Sequence, residues 1–211
     1  MTVDFALLAP AAAAAAGTIL ADAKGRWRLV YVFKPLTMAS LLALAAVRVP
    51  VERPAYKTFI LAGLAASLLG DVFMMLRRKR FVEGLASFLL AHGFYIAAFV
   101  STTGSRLSLG TVLPFFVYAI VMMRIILPRA GRMKGPVVVY IVVITLMAAL
   151  AADRYILLGG ARALFAFAGA LLFVISDSVL AANRFVKKIP SAQVAILVPY
   201  FLAQALFALS V

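Results

Sequence analysis

The chain has no cysteine and only one histidine among its 211 residues. The absence of cysteine excludes disulfide bonds, thiolate catalysis and cysteine-ligated metal centres. A single histidine argues against a zinc site, because such sites collect several nitrogen or sulfur ligands. No polar stretch is long enough to separate two domains, so we expect one domain over residues 1–211.

Acidic residues are also scarce, with 7 Asp and Glu against 21 Lys and Arg, a net charge of +14. The basic residues punctuate apolar runs in short clusters such as Arg77–Arg80, which is how the loops of membrane proteins are marked. The chain is 66% hydrophobic and 13% charged, whereas soluble domains are about one-quarter charged. These features predict a protein solvated by lipid, and they argue against nucleic acid as a partner.

Eight apolar segments approach the ~20 residues that a membrane-spanning helix needs. They cover residues 5–21, 29–47, 58–76, 84–101, 111–127, 136–152, 161–182 and 191–209. The predicted fold class is therefore all-α, a polytopic integral membrane bundle of about eight transmembrane helices. We expect the first segment to be a retained helix, because Asp4 precedes it and a secretory signal would begin with basic residues.

Two of the seven acidic residues, Asp71 and Asp177, lie inside apolar runs, and the other five are expected in loops or at helix ends. The Asp153–Arg154–Tyr155 stretch is among the latter, in the connection predicted over residues 153–160. A carboxylate within a membrane segment costs a few kcal/mol unless it faces the bundle interior, so such residues are usually functional. Snorkelling to water or tying helices together is the structural alternative.

Other polar residues inside the predicted helices are candidates to line or orient a site. Lys34 would neutralise an aspartate, bind a lipid phosphate or snorkel to the interface. His92 and Tyr95 share a helix face, since they are three residues apart. His92 is either part of the site or a hydrogen-bonded structural histidine.

The last two predicted helices add further polar side chains. Ser176 neighbours Asp177, and Asn183 closes the seventh predicted helix. Gln193, Tyr200 and Gln204 follow at spacings that put them on one stripe of the eighth. Hydrogen bonding between helices is the structural reading of this stripe.

A short internal similarity relates the two halves of the chain. Gly70–Asp71 followed by Arg80–Phe81 corresponds to Ser176–Asp177 followed by Arg184–Phe185. Two units of four helices would be parallel repeats, related by an axis along the membrane normal.

Taken in order, these motifs resemble those of the YhhN-like membrane family, which includes the lysoplasmalogenases. The resemblance rests on Lys34–Pro35, Gly70–Asp71, His92-x-x-Tyr95, Ser176–Asp177 with Asn183–Arg184–Phe185, and Tyr200-x-x-x-Gln204. It covers nearly the whole chain. It implies hydrolysis of the vinyl ether bond of lysoplasmalogens to a fatty aldehyde and a glycerophospho-ethanolamine or -choline.

The residues fit that chemistry. Vinyl ether hydrolysis needs an acid that protonates the β-carbon and a carboxylate that stabilises the cation or activates water, and it requires no metal or organic cofactor. Asp71 and Asp177 are the predicted catalytic pair, with their roles unassigned. The predicted substrate-binding residues are Lys34, His92, Tyr95, Ser176, Asn183, Tyr200 and Gln204.

Two other functions remain open at this point. A proton-coupled transporter would use the same acids as a proton relay. A non-catalytic lipid-binding protein would need neither acid. The expected partners are a lysophospholipid substrate and membrane lipid, and the oligomeric state is not predicted.

The orientation follows from the distribution of basic residues. The odd-numbered connections hold 13 Lys and Arg residues and the even-numbered ones hold 6, counting Arg162 just inside the seventh helix. Because cytoplasmic loops carry the excess, the odd connections are predicted to be cytoplasmic and both termini to face outward, with the protein in the cell (inner) membrane.

Reporter fusions at the C-terminus test this orientation. Alkaline phosphatase, which needs an oxidising compartment, is expected to be active there, and green fluorescent protein to be dark. A fluorescent C-terminal fusion with an inactive phosphatase fusion would contradict the predicted topology.

Overall fold

The computed structural model describes residues 2–49, 53–76 and 80–211. Three basic residues that enter the orientation argument, Arg77, Arg78 and Lys79, lie outside these ranges, as does Glu52.

Within the described ranges the chain forms eight α-helices that are long and apolar enough to cross a membrane. They are α1 (Thr2–Ala23), α2 (Trp27–Val47), α3 (Pro54–Met75), α4 (Phe81–Thr103), α5 (Leu109–Ile126), α6 (Lys134–Leu158), α7 (Gly160–Ala181) and α8 (Ala192–Leu209). A π-helical turn, Ala182–Val186, follows α7. The described residues contain no β-strand, and the multi-pass all-α prediction is confirmed.

Helices adjacent in sequence pack against each other, except α4 and α5, which make little contact. The two halves of the chain are joined where α4 packs against α6 and where α8 packs against α1, α2 and α3. If α1–α4 and α5–α8 are exchanged, α2 corresponds to α6 and α8 corresponds to α4. The contact between α2 and α8 therefore corresponds to the contact between α6 and α4. This order is the one that parallel repeats would have, but the repeat itself stays a prediction.

The prediction of a connection over residues 153–160 is wrong. Helix α6 continues to Leu158, and Gly159 is the residue between it and α7. Gly159 and Gly160 have φ values of 64° and 75°, a left-handed conformation that glycine adopts without a steric penalty. This allows an abrupt reversal between two long helices.

Asp153 and Arg154, which were assigned to that connection, are instead buried in α6, at 5% and 0% exposure. Asp153 accepts hydrogen bonds from the Thr111 hydroxyl, at 2.7 Å, and from the Ser108 backbone N–H. The Arg154 guanidinium donates to Thr102 and lies 4.4 Å from the centre of the Tyr56 ring. These partners come from neighbouring helices, and they allow two charged residues to be buried.

Close packing between α3 and α4 depends on glycine. A Cβ atom at Gly63 would come within 2.3 Å of the Tyr95 ring. Tyr95 is fully buried and its hydroxyl donates to Gln204 at 2.7 Å, so the ring has little freedom to move away. The close approach of α3 and α4 at this point therefore requires a residue without a Cβ atom.

Gly63→Ala is therefore expected to destabilise the protein by ~1–3 kcal/mol, the usual cost of overpacking. Thermal unfolding of the purified protein in detergent measures the effect. The matched control is Gly93→Ala in α4, where a Cβ atom meets nothing within 4 Å. Equal melting temperatures for the two variants would contradict the proposed packing constraint.

Candidate active site

The two intramembrane aspartates lie at the same end of the bundle. Each is four residues from the end of its helix, Asp71 before Met75 in α3 and Asp177 before Ala181 in α7. At 1.5 Å per residue this depth is ~6 Å. The C-terminal ends of α1, α3 and α7 lie at this end, which is the end predicted to be cytoplasmic.

Both aspartates line one cavity with a volume of about 140 Å³. This volume is enough for several water molecules, since one needs roughly 10–15 Å³ on this measure. The side chains that give the cavity its polar character are Asp22, Lys34, Asp71, Ser176, Asp177, Gln193 and Tyr200. We call this space the polar cavity.

Asp71 is held by two partners from other helices. Its Oδ1 lies 2.8 Å from the Nζ atom of Lys34 in α2, and its Oδ2 accepts a 2.7 Å hydrogen bond from the Tyr200 hydroxyl in α8. Asp71 is 1% exposed and Lys34 is 12% exposed. Of the roles considered for Lys34, neutralisation of an aspartate is the one observed.

Asp177 has a different environment. Its Oδ2 accepts a 2.5 Å hydrogen bond from the Tyr140 hydroxyl in α6. In the described part of the chain, no ammonium or guanidinium group forms an ion pair with Asp177, and its Oδ1 has no hydrogen-bond donor. Asp177 is also partly exposed, whereas Asp71 is buried. The two carboxyl groups share a cavity, but only Asp71 has a cationic partner.

An aromatic cluster lies between the two aspartate–tyrosine pairs. Phe173 makes an edge contact with the Tyr200 ring at 5.6 Å and with His92 at 4.6 Å. His92 in turn makes an edge contact with the Tyr140 ring at 5.2 Å. The cluster fixes both tyrosine rings, so the hydroxyls that bind the aspartates are held in place.

His92 lies in this cluster and not on the wall of the polar cavity. It is fully buried, and neither ring nitrogen has a hydrogen-bond partner among the described residues. The hydrogen-bonded structural histidine that we considered is therefore not observed. The position of His92 behind Tyr140 suits a packing role.

The remaining predicted site residues divide into two groups. Ser176 and Tyr200 line the polar cavity, and Ser176 donates to the Ile196 carbonyl. Tyr95 and Gln204 bind each other beneath the cavity without lining it. Asn183 lies in the π-helical turn, where its side-chain oxygen accepts from the Ile189 N–H and fixes the chain before α8.

Sequence reasoning missed Tyr140 and Asp22. Tyr140 is the partner of Asp177, and a hydroxyl inside an apolar run was the available signal. Asp22 was set aside as a helix-end residue, yet it lines the cavity because α1 ends beside α2. Among the described residues, no three His, Asp or Glu side chains lie close enough together to bind a metal ion.

Comparison with known proteins adds an independent observation. The sequence model of the YhhN family matches residues 29–211. An Escherichia coli O157:H7 protein named uncharacterized membrane protein YhhN is 33% identical over 155 residues, which are 74% of each chain. Human lysoplasmalogenase TMEM86A is 35% identical over 161 residues, which cover 72% of this chain and 65% of the human protein.

A bacterial protein named lysoplasmalogenase is also similar. The Mycobacterium tuberculosis protein is 31% identical over 158 residues, covering 71% of this chain and 58% of its own length. No solved structure matches the chain.

The Lys34–Asp71 ion pair predicts a stability effect. Lys34→Met leaves the buried Asp71 carboxylate without its counter-charge, and breaking such a pair typically costs ~3–5 kcal/mol. Adding Asp71→Asn removes the stranded charge, so the double variant is expected to unfold at a higher temperature than Lys34→Met alone.

The exposed Lys24, in the α1–α2 connection, provides the control for charge removal, and Lys24→Met is expected to melt like the wild type. All four proteins are compared by thermal unfolding in one detergent. An unchanged melting temperature for Lys34→Met, or no recovery in the double variant, would show that the ion pair does not hold the bundle together.

Proposed function

Because the chain belongs to the YhhN family, we propose that it is a membrane-embedded hydrolase of the lysoplasmalogenase type. Its substrate would be a lysophospholipid with a vinyl-ether-linked chain. Its products would be a fatty aldehyde and a glycerophospho-ethanolamine or -choline. The observation that carries the proposal is the pair of aspartates on one cavity wall, one bound to a cation and the other to a phenol.

The different partners suggest which aspartate has which role. Lys34 compensates a negative charge on Asp71, so Asp71 serves as the ionised carboxylate. Asp177 has no such cation, and an acid inside a membrane bundle without one lowers the cost of its desolvation by keeping its proton. We therefore assign the general acid to Asp177, with the proton on Oδ1, since Oδ2 already accepts from Tyr140.

The first step protonates the substrate. Asp177 transfers its proton to the β-carbon of the vinyl ether, and the former double-bond electrons form the new C–H bond. The α-carbon becomes part of an oxocarbenium ion, and Asp177 becomes a carboxylate. The negative charge of Asp71, which lines the same cavity, favours this cation, because electrostatic interactions are strong in a site of low dielectric constant.

Water from the polar cavity then adds to the α-carbon and gives up a proton to Asp71. The resulting hemiacetal collapses as its hydroxyl proton moves to the departing glycerol oxygen, which releases the aldehyde. The proton on Asp71 returns to Asp177 through cavity water. One water molecule is consumed, and both carboxyl groups regain their starting states.

Lys34, Tyr200 and Tyr140 are positioning residues in this mechanism. Lys34 and Tyr200 occupy the two oxygens of Asp71 and must shift slightly when it takes up a proton. Tyr140 holds Asp177 so that its free oxygen is available to the substrate. If the odd-numbered connections are cytoplasmic, as predicted, the cavity lies at the cytoplasmic leaflet of the inner membrane.

Asp71→Asn and Asp177→Asn are each expected to lower kcat by ~100-fold or more, the usual contribution of a positioned proton transfer. Steady-state aldehyde release from a lysoplasmalogen by purified protein measures the effect. Glu83→Gln is the matched control, because Glu83 is an exposed acid in the first turn of α4. It is expected to retain wild-type turnover.

The double variant is expected to be little worse than the worse single variant, since residues that act as a unit are not additive. The matched acyl lysolipid, assayed for fatty acid, shows whether the vinyl ether is the preferred bond. Near-wild-type turnover in both single variants, with thermal stability unchanged, would remove the two aspartates from the mechanism.

A further inference from the structure

Asp177 lies on the wall between two different spaces. On one side is the polar cavity, and on the other is an apolar cleft bounded by α4, α5, α6 and α7. Asp177 and Leu180 line both. We call the second space the chain cleft, and its apolar wall includes Leu85, Met122, Ile141 and Ile144.

The polar groups of the chain cleft are already engaged. The hydroxyls of Tyr118 and Ser178 bond to each other at 2.6 Å, and Ser178 also donates to the Val174 carbonyl. The Tyr140 hydroxyl donates to Asp177. A polar ligand would find few hydrogen-bond partners here, whereas a hydrocarbon has no hydrogen bonds to water that it would lose on entering.

The chain cleft runs along α6 from the end of the bundle that carries Asp177 toward the middle of the bundle. At the end of the bundle that carries Asp177, the Phe81 and Phe185 rings are 6.3 Å apart in an edge contact, and the Arg184 guanidinium lies 4.7 Å from the Phe81 ring centre. From there the cleft follows α6 from Val137 to Ile144, a distance of ~10 Å toward the bundle middle.

The geometry points to the chain cleft as the binding site of the substrate's hydrocarbon chain, an inference that rests on the proposed function. A lysophospholipid joins a polar headgroup to one apolar chain, and the vinyl ether lies at their junction. With the headgroup in the polar cavity and the chain in the cleft, that junction comes to Asp177. The volume of the cleft is small, about 50 Å³, so the entering chain must widen it.

The competing site is a second apolar groove between α1, α2 and α8, with a volume of about 380 Å³. It is larger, but it shares no residue with the polar cavity and contains no acid. A chain bound there would leave the vinyl ether away from both aspartates. We therefore use this groove as the comparison site in the experiment.

Photocrosslinking locates the chain without requiring turnover. The probe is lysophosphatidylethanolamine with a diazirine midway along its chain, irradiated with the purified protein and mapped by mass spectrometry. Crosslinks are expected on residues of the chain cleft, such as Leu85, Met122 and Ile144, and excess unlabelled lysophosphatidylethanolamine is expected to suppress them. Crosslinks confined to the α1–α2–α8 groove would overturn the inference.

Competition with diacyl phosphatidylethanolamine distinguishes a substrate-chain site from a general lipid site. Diacyl lipid is expected to compete poorly, because its second chain has no place in the cleft. Equal competition by the two lipids would overturn the inference. Since crosslinking needs no hydrolysis, a protein that crosslinks as expected but releases no aldehyde would refute the proposed function alone.

Kinetics supply the second test. Met122→Trp narrows the cleft and is expected to raise KM for a long-chain lysoplasmalogen about tenfold, the loss expected when roughly two methylene groups lose apolar contact. A short-chain analogue should be affected less than twofold. Leu202→Trp, in the comparison groove, should change neither value. Equal effects on both chain lengths, or a long-chain effect only in Leu202→Trp, would overturn the assignment.

Discussion

The ion pair between Lys34 and Asp71 is the interaction on which the candidate site depends. A charge inside a membrane bundle is tolerated when it is paired and hydrogen-bonded, and here the pair joins α2 to α3 while Tyr200 adds α8. These contacts bring the consecutive helices α2 and α3 together with α8, from the far end of the chain, at one cavity wall. The same ammonium group that allows Asp71 to be buried also favours the negative charge that the proposed mechanism gives it, so the architecture and the proposed chemistry share one cause.

The aspartate in the second half of the chain has a different hydrogen-bond partner. Asp71 in α3 is bound by Lys34 from the preceding helix, and Asp177 in α7 is bound by Tyr140 from its own preceding helix, α6. Corresponding helices therefore supply a cation in one half and a phenol in the other. Two carboxyl groups with the same surroundings would compete for the same charge state, whereas unlike partners allow one to be ionised and one protonated. This difference is what a hydrolysis that needs both an acid and a carboxylate requires.

Sequence reasoning identified the membrane spans and the two aspartates of the polar cavity because both depend on local properties, namely the length of an apolar run and a charge within it. It misplaced Asp153 and Arg154 because burial there depends on partners from other helices, such as Thr111 and Thr102. It missed Tyr140 for the same reason, since the rotation of α6 decides which residue meets Asp177. His92 illustrates the opposite case: its polarity suggested a site residue, whereas packing puts it behind the cavity wall.

The charge states of the two aspartates can be measured directly by infrared difference spectroscopy of the purified protein at neutral pH. A protonated carboxylic acid has a carbonyl stretch that a carboxylate lacks. The wild-type protein is expected to show such a band, which should disappear in Asp177→Asn and persist in Asp71→Asn. A band that is lost in Asp71→Asn and kept in Asp177→Asn, or a wild-type spectrum without one, would contradict the division of charge between the two aspartates.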